Sequence, residues 1–582
     1  MEIIKSIVLA FLVFSPSWLL SMELEFVTTN LLDGDRSSID CDQVSKPQEV
    51  ALTLTLADIG SASFSLCNVS SNSQTVEFSG LVVENHDNDI THSINLRYVK
   101  YWYQAEGAWD SHFRGGYKAM LVPELLLKDS DLVRVDQTTM RNYLRVGDRS
   151  SGTYVDVSHR QIKSSRDLRH AEEFQVADAS IIQPISIGSG EMAHYWMNVD
   201  TSDLDAGEYR GYLLFTANNE ELRLRFSLNI LPYKLISSPI THSLYYRSVI
   251  TPDQRSTISS EIKSTQQLRE ELLNIKKHGF TNPTVYQPIR SRKRWSNYSD
   301  QELAQSLDEY LSIRKELGFD GRKLFYAGLT TGAVTSEATI RGVVSSVKKV
   351  IEIALKHGYS EVYIYGSDEA KGEKLRSQER VWNAVKAVGG RIFVAGSKGH
   401  VRDMGRNTDL LIHRDEVSAS ERQLMHAHNN RIFKYHDPKS GPENPAIFRY
   451  KRGFYLWQND FDGAMDYAYQ HSTGFIWNDF DNRRYRDLAF TYPTKDGVID
   501  TIAWEGYREA INDLHFLATL QYLVDHSVQT ADVPPELLKD VKKFLKRLKV
   551  NSQLSPPVAR RSIISHIEKL LRYARLPSEL TK

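Results

Sequence analysis

The stretch Glu361-Val-Tyr-Ile-Tyr-Gly-Ser-Asp368-Glu369-Ala decides the fold and indicates where function should be sought. Four strand-favouring residues, 362–365, run into a glycine, a serine and two neighbouring carboxylates, and a helical pattern begins a few residues later. A short apolar run between two helical patterns predicts a buried parallel strand. Acids just beyond the carboxyl end of such a strand lie where a β/α barrel carries its catalytic groups.

The two carboxylates also have a simpler interpretation. Acids are favoured at helix starts, so Asp368 and Glu369 could merely cap the helix that follows. One cap needs only one acid, however, and the helical pattern begins near Glu373, several residues later. The position therefore favours a functional role for the pair.

Strands and long amphipathic helices alternate on both sides of this stretch. Helices are expected at 260–278, 300–317, 340–357, 373–388 and 501–526, and Gly279, Gly318 and Gly358 are expected to end the first three. The predicted strands are 243–249, 282–287, 323–329, 362–365, 391–395, 410–413, 431–435, 453–458 and 474–477. This alternation predicts a (β/α)8 TIM-type barrel over residues 236–528, with one strand candidate too many.

The rest of the chain predicts further domains, as 582 residues exceed one ordinary domain. Residues 22–235 show short alternating runs broken by turn residues, the pattern of one or two β-sandwich domains. Residues 529–582 predict C-terminal helices, which begin after Pro534-Pro535. The predicted fold is thus multidomain, with a β-sandwich, a barrel and a helical extension in that order.

Composition and motifs exclude several functions. A net charge of -1 gives no field for nucleic acid or an anionic membrane. No phosphate-binding loop, dinucleotide fingerprint or serine nucleophile elbow is present. The histidines are scattered over helices, loops and strand ends, so we expect no metal and no cofactor.

The N-terminus predicts export. Lys5 precedes the apolar run 7–14, and small serines follow, as in a signal peptide over residues 1–21. An uncleaved anchor stays open, and the expected location is secreted, periplasmic or on the cell surface. Cys41 and Cys67 are the only cysteines, and they could form one disulfide or stay as two buried thiols.

Two adjacent acids suit one particular glycosidase mechanism. Ordinary retaining glycosidases place their two carboxylates on different strands about 5 Å apart, which neighbouring residues rarely achieve. In substrate-assisted catalysis, Glu369 would protonate the leaving oxygen while the acetamido oxygen of the sugar attacks the anomeric carbon. Asp368 would stabilise the acetamido nitrogen, which becomes more positive as the oxazolinium ion forms.

Several motifs resemble glycoside hydrolase family 123. These are the Asp368-Glu369 pair and, in chain order, 122–127, 206–211, 277–283, 444–457 and 492–513. Each motif is short, and their order along the chain carries the resemblance. It implies a sandwich ahead of a β/α barrel and β-N-acetylgalactosaminidase activity, with Asp368 as the oxazoline-stabilising residue and Glu369 as the acid/base. Relatives with this architecture act on other sugars as well, so the reaction class is the firmer implication.

Aromatic and amide side chains near predicted strand ends are the expected sugar contacts, because rings stack on pyranose faces and amides bind hydroxyls. These candidates are Tyr245, Tyr286, Tyr326, Trp457, Trp477 and Asn478. Packing within the barrel is an equal alternative for each. Asp460 or Asp479, if placed opposite Glu369, would favour a two-carboxylate mechanism instead.

The sequence thus predicts an exo-acting, retaining β-N-acetylhexosaminidase of the galactosamine type. Its expected partner is an oligosaccharide or glycoconjugate, with no nucleic acid and no membrane beyond a possible signal anchor. Two alternatives stay open: a two-carboxylate glycosidase for a sugar without the acetamido group, and a non-catalytic secreted carbohydrate-binding protein.

Overall fold

The computed structural model describes residues 24–28, 31, 41, 49–86, 89–105, 119–160, 167–319, 321–435, 444–482, 486–530, 533–551, 553–573 and 580. The predicted signal peptide, 1–21, lies outside the described residues. Among those described, no helix is both long enough and apolar enough to cross a bilayer.

The first part of the chain is rich in β-structure. Strands β1 to β14 are Leu24–Thr28, Val50–Thr55, Ile59–Asn68, Gln74–Val83, Ile94–Ala105, Ala119–Leu127, Val133–Asp136, Arg141–Val146, Thr153–Asp156, Arg169–His170, Ile185–Ile187, Met192–Asp200, Gly207–Ala217 and Glu220–Leu231. Two five-stranded sheets have the orders β1-β3-β12-β5-β6 and β11-β4-β13-β14-β2, and β7-β8-β9 form a third, smaller sheet.

The two five-stranded sheets share one hydrophobic core. Along β14 every second side chain from Leu222 to Ile230 is buried, because successive residues of a strand point to opposite faces. Phe64 and Tyr195 of the first sheet stack at 5.1 Å and meet Phe215 of the second. A disulfide joins Cys41 to Cys67, with a Cα–Cα distance of 5.9 Å.

The strands that follow include a parallel sheet. Strands β15 to β28 are Thr241–Leu244, Val249–Ile250, Thr257–Ile258, Ile262–Lys263, Lys323–Thr330, Glu361–Tyr365, Gly390–Gly396, Leu410–His413, Arg431–Lys434, Gly463–Asp466, Gln470–His471, Leu488–Ala489, Thr491–Pro493 and Val498–Asp500. Seven of them form a curled sheet of order β15-β24-β23-β22-β21-β20-β19. Its two edges both bond to the segment 284–285: Thr284 N–H donates to Leu244 O at 3.0 Å, and Val285 N–H donates to Phe325 O at 2.9 Å.

The helices mostly lie between these strands. Helices α1 to α12 are Thr265–Lys277, Asp300–Glu316, Glu337–Lys356, Gly372–Arg376, Glu379–Lys386, His400–Met404, Ala419–Ala427, Pro445–Lys451, Phe454–Gln458, Ile502–Thr530, Pro535–Val550 and Pro556–Leu571. Gly279, Gly318 and Gly358 follow the first three helices with φ values of +83°, +72° and +93°, so their predicted role at the helix ends is confirmed.

Strand β20 is buried on both faces, as its apolar run predicted. Val362 and Ile364 belong to the core between the sheet and the helices. Tyr363 and Tyr365 belong to the core inside the curled sheet. The alternation of a strand therefore directs Tyr365, the last residue of β20, toward the interior at the carboxyl end.

Two predicted strands are wrong. Residues 453–458 contain helix α9, whose Phe454 and Leu456 are buried in two different hydrophobic clusters, so packing overrides the strand preference of an aromatic-rich run. Residues 474–477 form no strand, and Phe475 N–H donates instead to Asp481 Oδ2 at 2.8 Å. The short strand β24 was not predicted, and the segment 282–287 makes a single β-bridge, at Val285.

The predicted helix 373–388 is two helices. Helix α4 ends at Arg376 and α5 begins at Glu379, with Gln378 fully buried between them. The Gln378 side chain accepts a hydrogen bond from Ser367 N–H at 2.7 Å. The interruption therefore holds the backbone just before the two carboxylates.

Candidate active site

The loop that carries the two acids is fixed on both sides. Gly366 leaves no room for a side chain, because a Cβ there would lie 2.9 Å from Val394 and 3.1 Å from Trp382. Glu369 N–H donates to Ala395 O on β21 at 3.1 Å. Glu369 itself has a φ of +43°, a left-handed conformation that is uncommon for residues other than glycine. Such strain is found preferentially at functional sites.

Asp368 is exposed, and its carboxylate accepts a hydrogen bond from the buried residue Tyr365. The Tyr365 hydroxyl donates to Asp368 Oδ1 at 2.7 Å, and the Tyr245 hydroxyl lies 3.0 Å from that of Tyr365. Burial raises the pKa of both tyrosines well above the usual value, with the charge of Asp368 adding to the effect. Both phenols therefore stay neutral and able to donate.

Glu369 has a different partner. Arg414, the residue after β22, places Nη1 2.8 Å from Glu369 Oε2, and the two side chains are 33% and 34% exposed. The Nε of the same guanidinium lies 3.3 Å from Asp415 Oδ1. Burial lowers the pKa of Arg414, but the carboxylates of Glu369 and Asp415 outweigh it and raise the pKa overall. One cation thus links a carboxylate after β20 to a carboxylate after β22, and β21 lies between these two strands in the sheet.

Further tyrosines and an arginine surround the pair. Tyr286, Tyr435 and Tyr467 all pack against the interior core of the curled sheet. Burial raises the pKa of the Tyr435 hydroxyl, and the nearby charges of Glu369 and Asp368 raise it further. Arg247 donates to Tyr467 Oη at 2.9 Å and lies 4.9 Å from the ring centre of Tyr286. The carboxylates thus lie close enough to the phenols of Tyr286 and Tyr435 to affect their pKa.

The structure brings together part of the predicted site. Tyr245 and Tyr286 lie with Asp368 and Glu369, as the strand-end rule predicted. Tyr326 is buried on the helix side of the sheet, and its hydroxyl donates to Gln287 O at 2.6 Å, so its predicted contact with sugar is not supported.

The predicted placement of three other residues at strand ends is wrong. Trp457 is on α9, where the ammonium of Lys549 lies 4.6 Å from its ring. Trp477 is fully buried beside Trp102, and its indole N–H donates to Pro493 O at 3.0 Å. Asn478 is also buried, and its Nδ2 donates to His159 O at 3.1 Å. All three residues were predicted in, or directly after, the two strands that do not form.

Neither candidate second carboxylate contacts Glu369. Asp460 is an exposed residue that pairs with Lys549 of α11 at 2.7 Å. Asp479 is buried, accepts from Ala105 N–H at 2.9 Å and lies 3.3 Å from Arg486. Because both carboxylates bind other partners and neither contacts Glu369, the structure gives no support for either residue as the nucleophile of a two-carboxylate mechanism.

A potential metal-binding group lies away from this site. Within the described ranges, His278, Asp500 and Glu505 place ligand atoms within 4.8 Å of one another. Arg97 already donates to both carboxylates, at 2.6 Å to Asp500 and 2.7 Å to Glu505. A divalent cation bound by these three residues would have to compete with the Arg97 guanidinium. We therefore interpret them as part of an ion-pair network between α1, α10 and the β-rich region.

Sequence analysis missed five residues of the site. These are Tyr365, Arg414, Tyr435, Tyr467 and Arg247. The first three lie at or directly after correctly predicted strands, so applying the strand-end rule to every strand would have found them. Tyr467 follows β24, whose four residues Gly463–Asp466 carry too weak a pattern to predict a strand.

Comparison with solved structures gives a match over nearly the whole chain. No protein-family model and no curated protein matches the chain. A solved family 123 glycoside hydrolase from Clostridium perfringens, described as hydrolysing glycolipid glycans, aligns with a TM-score of 0.56 at 11% identity, covering 94% of this chain and 97% of that one. The resemblance seen in the motifs is therefore confirmed as a likeness of fold.

Two other solved structures match more weakly. An endo-β-1,4-mannanase from Thermotoga petrophila aligns with a TM-score of 0.31 at 14% identity, covering 48% of this chain and 77% of that one. An N-acetylneuraminate lyase from Fusobacterium nucleatum aligns with a TM-score of 0.25 at 10% identity, covering 57% of this chain and 95% of that one. These likenesses are too slight to support an inference.

Proposed function

We propose that this chain is a glycoside hydrolase, and specifically an exo-acting, retaining β-N-acetylhexosaminidase of the galactosamine type. The observation that carries the proposal is that two neighbouring acids, which follow one strand of the curled sheet, bind different partners. Asp368 is held by a neutral donor, Tyr365, and Glu369 by a cation, Arg414. The two carboxyl groups thus have different surroundings, which suits two different tasks.

In the first step, protonated Glu369 gives its proton to the glycosidic oxygen as the bond from that oxygen to C1 breaks. The carbonyl oxygen of the 2-acetamido group forms a new bond to C1, which makes an oxazolinium ion. Asp368 accepts a hydrogen bond from the acetamido N–H, and its negative charge stabilises the cation that develops there. Glu369 must leave Arg414 to act as an acid, and Asp415 offers that guanidinium an alternative partner.

In the second step, Glu369, now a carboxylate, removes a proton from water. The resulting hydroxide attacks C1 from the face that the leaving group vacated, and the bond from C1 to the acetamido oxygen breaks. Two inversions at C1 give net retention of anomeric configuration. The tyrosines below the pair supply an aromatic and hydroxyl-bearing surface for the sugar ring.

We also propose the remaining features of the setting. The curled sheet would be an eight-stranded barrel in which the segment around Val285 is the second strand, which the bonds of 284–285 to both sheet edges support. The chain would be exported, since disulfides persist mainly in oxidising compartments. Its partner would be an oligosaccharide or glycoconjugate.

The test is an activity screen on nitrophenyl glycosides with and without the 2-acetamido group. We expect wild type to hydrolyse 2-acetamido-2-deoxy-β-galactosides, Glu369→Gln and Asp368→Asn to lose most of that rate, and Asp460→Asn, a surface control, to retain it. Activity on plain hexosides alone would favour the two-carboxylate alternative. Binding of sugar without turnover by any variant would favour the carbohydrate-binding protein.

A further inference from the structure

A run of hydrogen bonds leads from the interior of the curled sheet to Asp368. Tyr245, after β15, lies 3.0 Å from Tyr365 through their hydroxyl oxygens, and Tyr365 lies 2.7 Å from Asp368 Oδ1. Ala395 N–H donates to the Tyr365 oxygen at 3.4 Å. The two tyrosines are 2% and 7% exposed, so the bond between their hydroxyls is shielded from water.

The direction of each proton in this run can be assigned. A carboxylate can only accept, so the single hydroxyl proton of Tyr365 must go to Asp368. The Tyr365 oxygen is then an acceptor toward Tyr245, whose own proton must point to Tyr365. Because burial raises the pKa of both phenols well above the usual value, both hydroxyls keep their protons near neutral pH.

We infer that Tyr365 is a positioning residue for Asp368, with Tyr245 orienting Tyr365 from behind. Holding Oδ1 fixes the rotation of the carboxylate and leaves Oδ2 to receive the acetamido N–H of the sugar. Within the described part of the chain, Tyr365 is the side chain that donates to Asp368. This inference rests on the proposed function, since it assigns Tyr365 a task in the same reaction.

A double-mutant cycle tests the coupling between the two residues. Tyr365→Phe keeps the ring and removes the donor, and we expect kcat on a 4-nitrophenyl 2-acetamido glycoside to fall about 10- to 100-fold, as for loss of one hydrogen bond to a charged group. Tyr365→Phe in the Asp368→Asn background should lower kcat by no more than about twofold, because Tyr365 acts through Asp368.

Two further variants serve as controls. Tyr310→Phe removes another buried hydroxyl, which lies 2.9 Å from Ser248 Oγ in the core, and it should leave kcat within about twofold of wild type. Tyr365→Phe leaves the buried Tyr245 hydroxyl without its acceptor. The double variant Tyr245→Phe/Tyr365→Phe removes both hydroxyls, so it tests the kinetic prediction if the single variant folds poorly.

A change of leaving group separates this role from that of the acid. A 2,4-dinitrophenyl substrate needs little protonation, so it should restore most of the kcat/KM lost in Glu369→Gln, because kcat/KM reports the step in which the leaving group departs. It should not restore the rate lost in Tyr365→Phe, because formation of the oxazolinium ion still needs an oriented Asp368.

The outcomes separate the inference from the proposed function. A wild type inactive on every 2-acetamido glycoside overturns the proposed function and this inference with it. If wild type is active, three results would overturn the inference alone. These are a kcat of Tyr365→Phe equal to that of wild type, additive effects of Tyr365→Phe and Asp368→Asn, and rescue of Tyr365→Phe by the dinitrophenyl substrate.

Discussion

Arg414 Nη1 lies 2.8 Å from Oε2 of Glu369, and this ion pair joins the segments that follow β22 and β20 of the curled sheet. The same guanidinium lies 3.3 Å from Asp415, so it can release Glu369 without losing every carboxylate partner. Arg414 is thus placed to orient the proposed acid/base whenever Glu369 is a carboxylate.

Substitution of Arg414 should affect catalysis far more than stability. Arg414→Met removes the charge-assisted hydrogen bond that orients Glu369 while it is a carboxylate, as it is when it activates water in the second step, and loss of a bond worth about 1.5–3 kcal/mol should lower kcat roughly 10- to 100-fold. Because both side chains are about one third exposed, the free energy of unfolding should change by less than about 1 kcal/mol. Steady-state kinetics and urea denaturation measure the two effects. Arg402→Met, which breaks an exposed pair with Asp403, is the control, and unchanged kcat in Arg414→Met would count against the role.

The buried pair of Arg452 and Asp466 should matter for stability. Both side chains are at most 1% exposed, and two bonds of 2.5 Å join them. Arg452→Met leaves a buried carboxylate without its cation, which should lower the free energy of unfolding by about 3–5 kcal/mol in urea denaturation. Adding Asp466→Asn should recover much of the loss.

Arg210→Met is the matched control for this pair. Arg210 pairs with Glu208 on the surface, with side chains 64% and 51% exposed, and its loss should cost less than about 1 kcal/mol. Equal losses in Arg452→Met and Arg210→Met would contradict the importance of burial.

Acid should destabilise the protein through its buried histidines. Burial lowers the pKa of His242 to about 4, against an ordinary value of 6.5. The unfolded chain therefore binds a proton between these two values that the folded chain does not, and the free energy of unfolding falls as pH drops from about 6.5 to 4.

His242→Gln should reduce this dependence on pH. His242 Nε2 bonds to Arg452 O at 2.8 Å, and an amide can make a similar bond. The slope of unfolding free energy against pH should decrease by at most about 1.4 kcal/mol per pH unit between pH 6.5 and 4. Denaturation at several pH values measures it, and identical slopes in both proteins would show that His242 is not buried in its neutral form.

The disulfide should contribute to stability. It joins residues 26 positions apart in the chain, and the alanine double variant Cys41→Ala/Cys67→Ala should unfold with a free energy lower by about 2–4 kcal/mol. Reduced wild type should show a similar loss. A variant as stable as the oxidised wild type would mean that the bond does not form in the native protein.

Local patterns predicted much of the parallel sheet and its helices. The run from Val362 to Tyr365 formed the expected strand because both of its faces are covered, and glycines such as Gly279 ended helices because only glycine adopts positive φ freely. Residues 453–458 were mispredicted because a strand-favouring composition gave way to packing between two hydrophobic clusters.

Residues of the site could be predicted from the sequence only where the strand that precedes them could be predicted. Asp368 and Glu369 follow a correctly placed strand, whereas Trp477 was assigned to a strand that does not form. Tyr245 follows β15, which ends at Leu244 and not at the predicted residue 249, and Tyr286 follows the single bridge at Val285. The partnership of Glu369 with Arg414 joins residues 45 positions apart in the chain, and no local pattern encodes it. Likewise, the side of the sheet on which Tyr326 lies depends on the strand's register, which a single sequence leaves open.

The most direct test replaces the acetamido group of a 4-nitrophenyl substrate by its mono-, di- and trifluoro derivatives and compares kcat. Fluorine withdraws electrons from the carbonyl oxygen, so if that oxygen attacks C1, kcat should fall stepwise with each fluorine while binding changes little. A kcat that does not depend on fluorine content would contradict attack by the substrate's own acetamido group, and with it the roles assigned to Asp368 and Glu369.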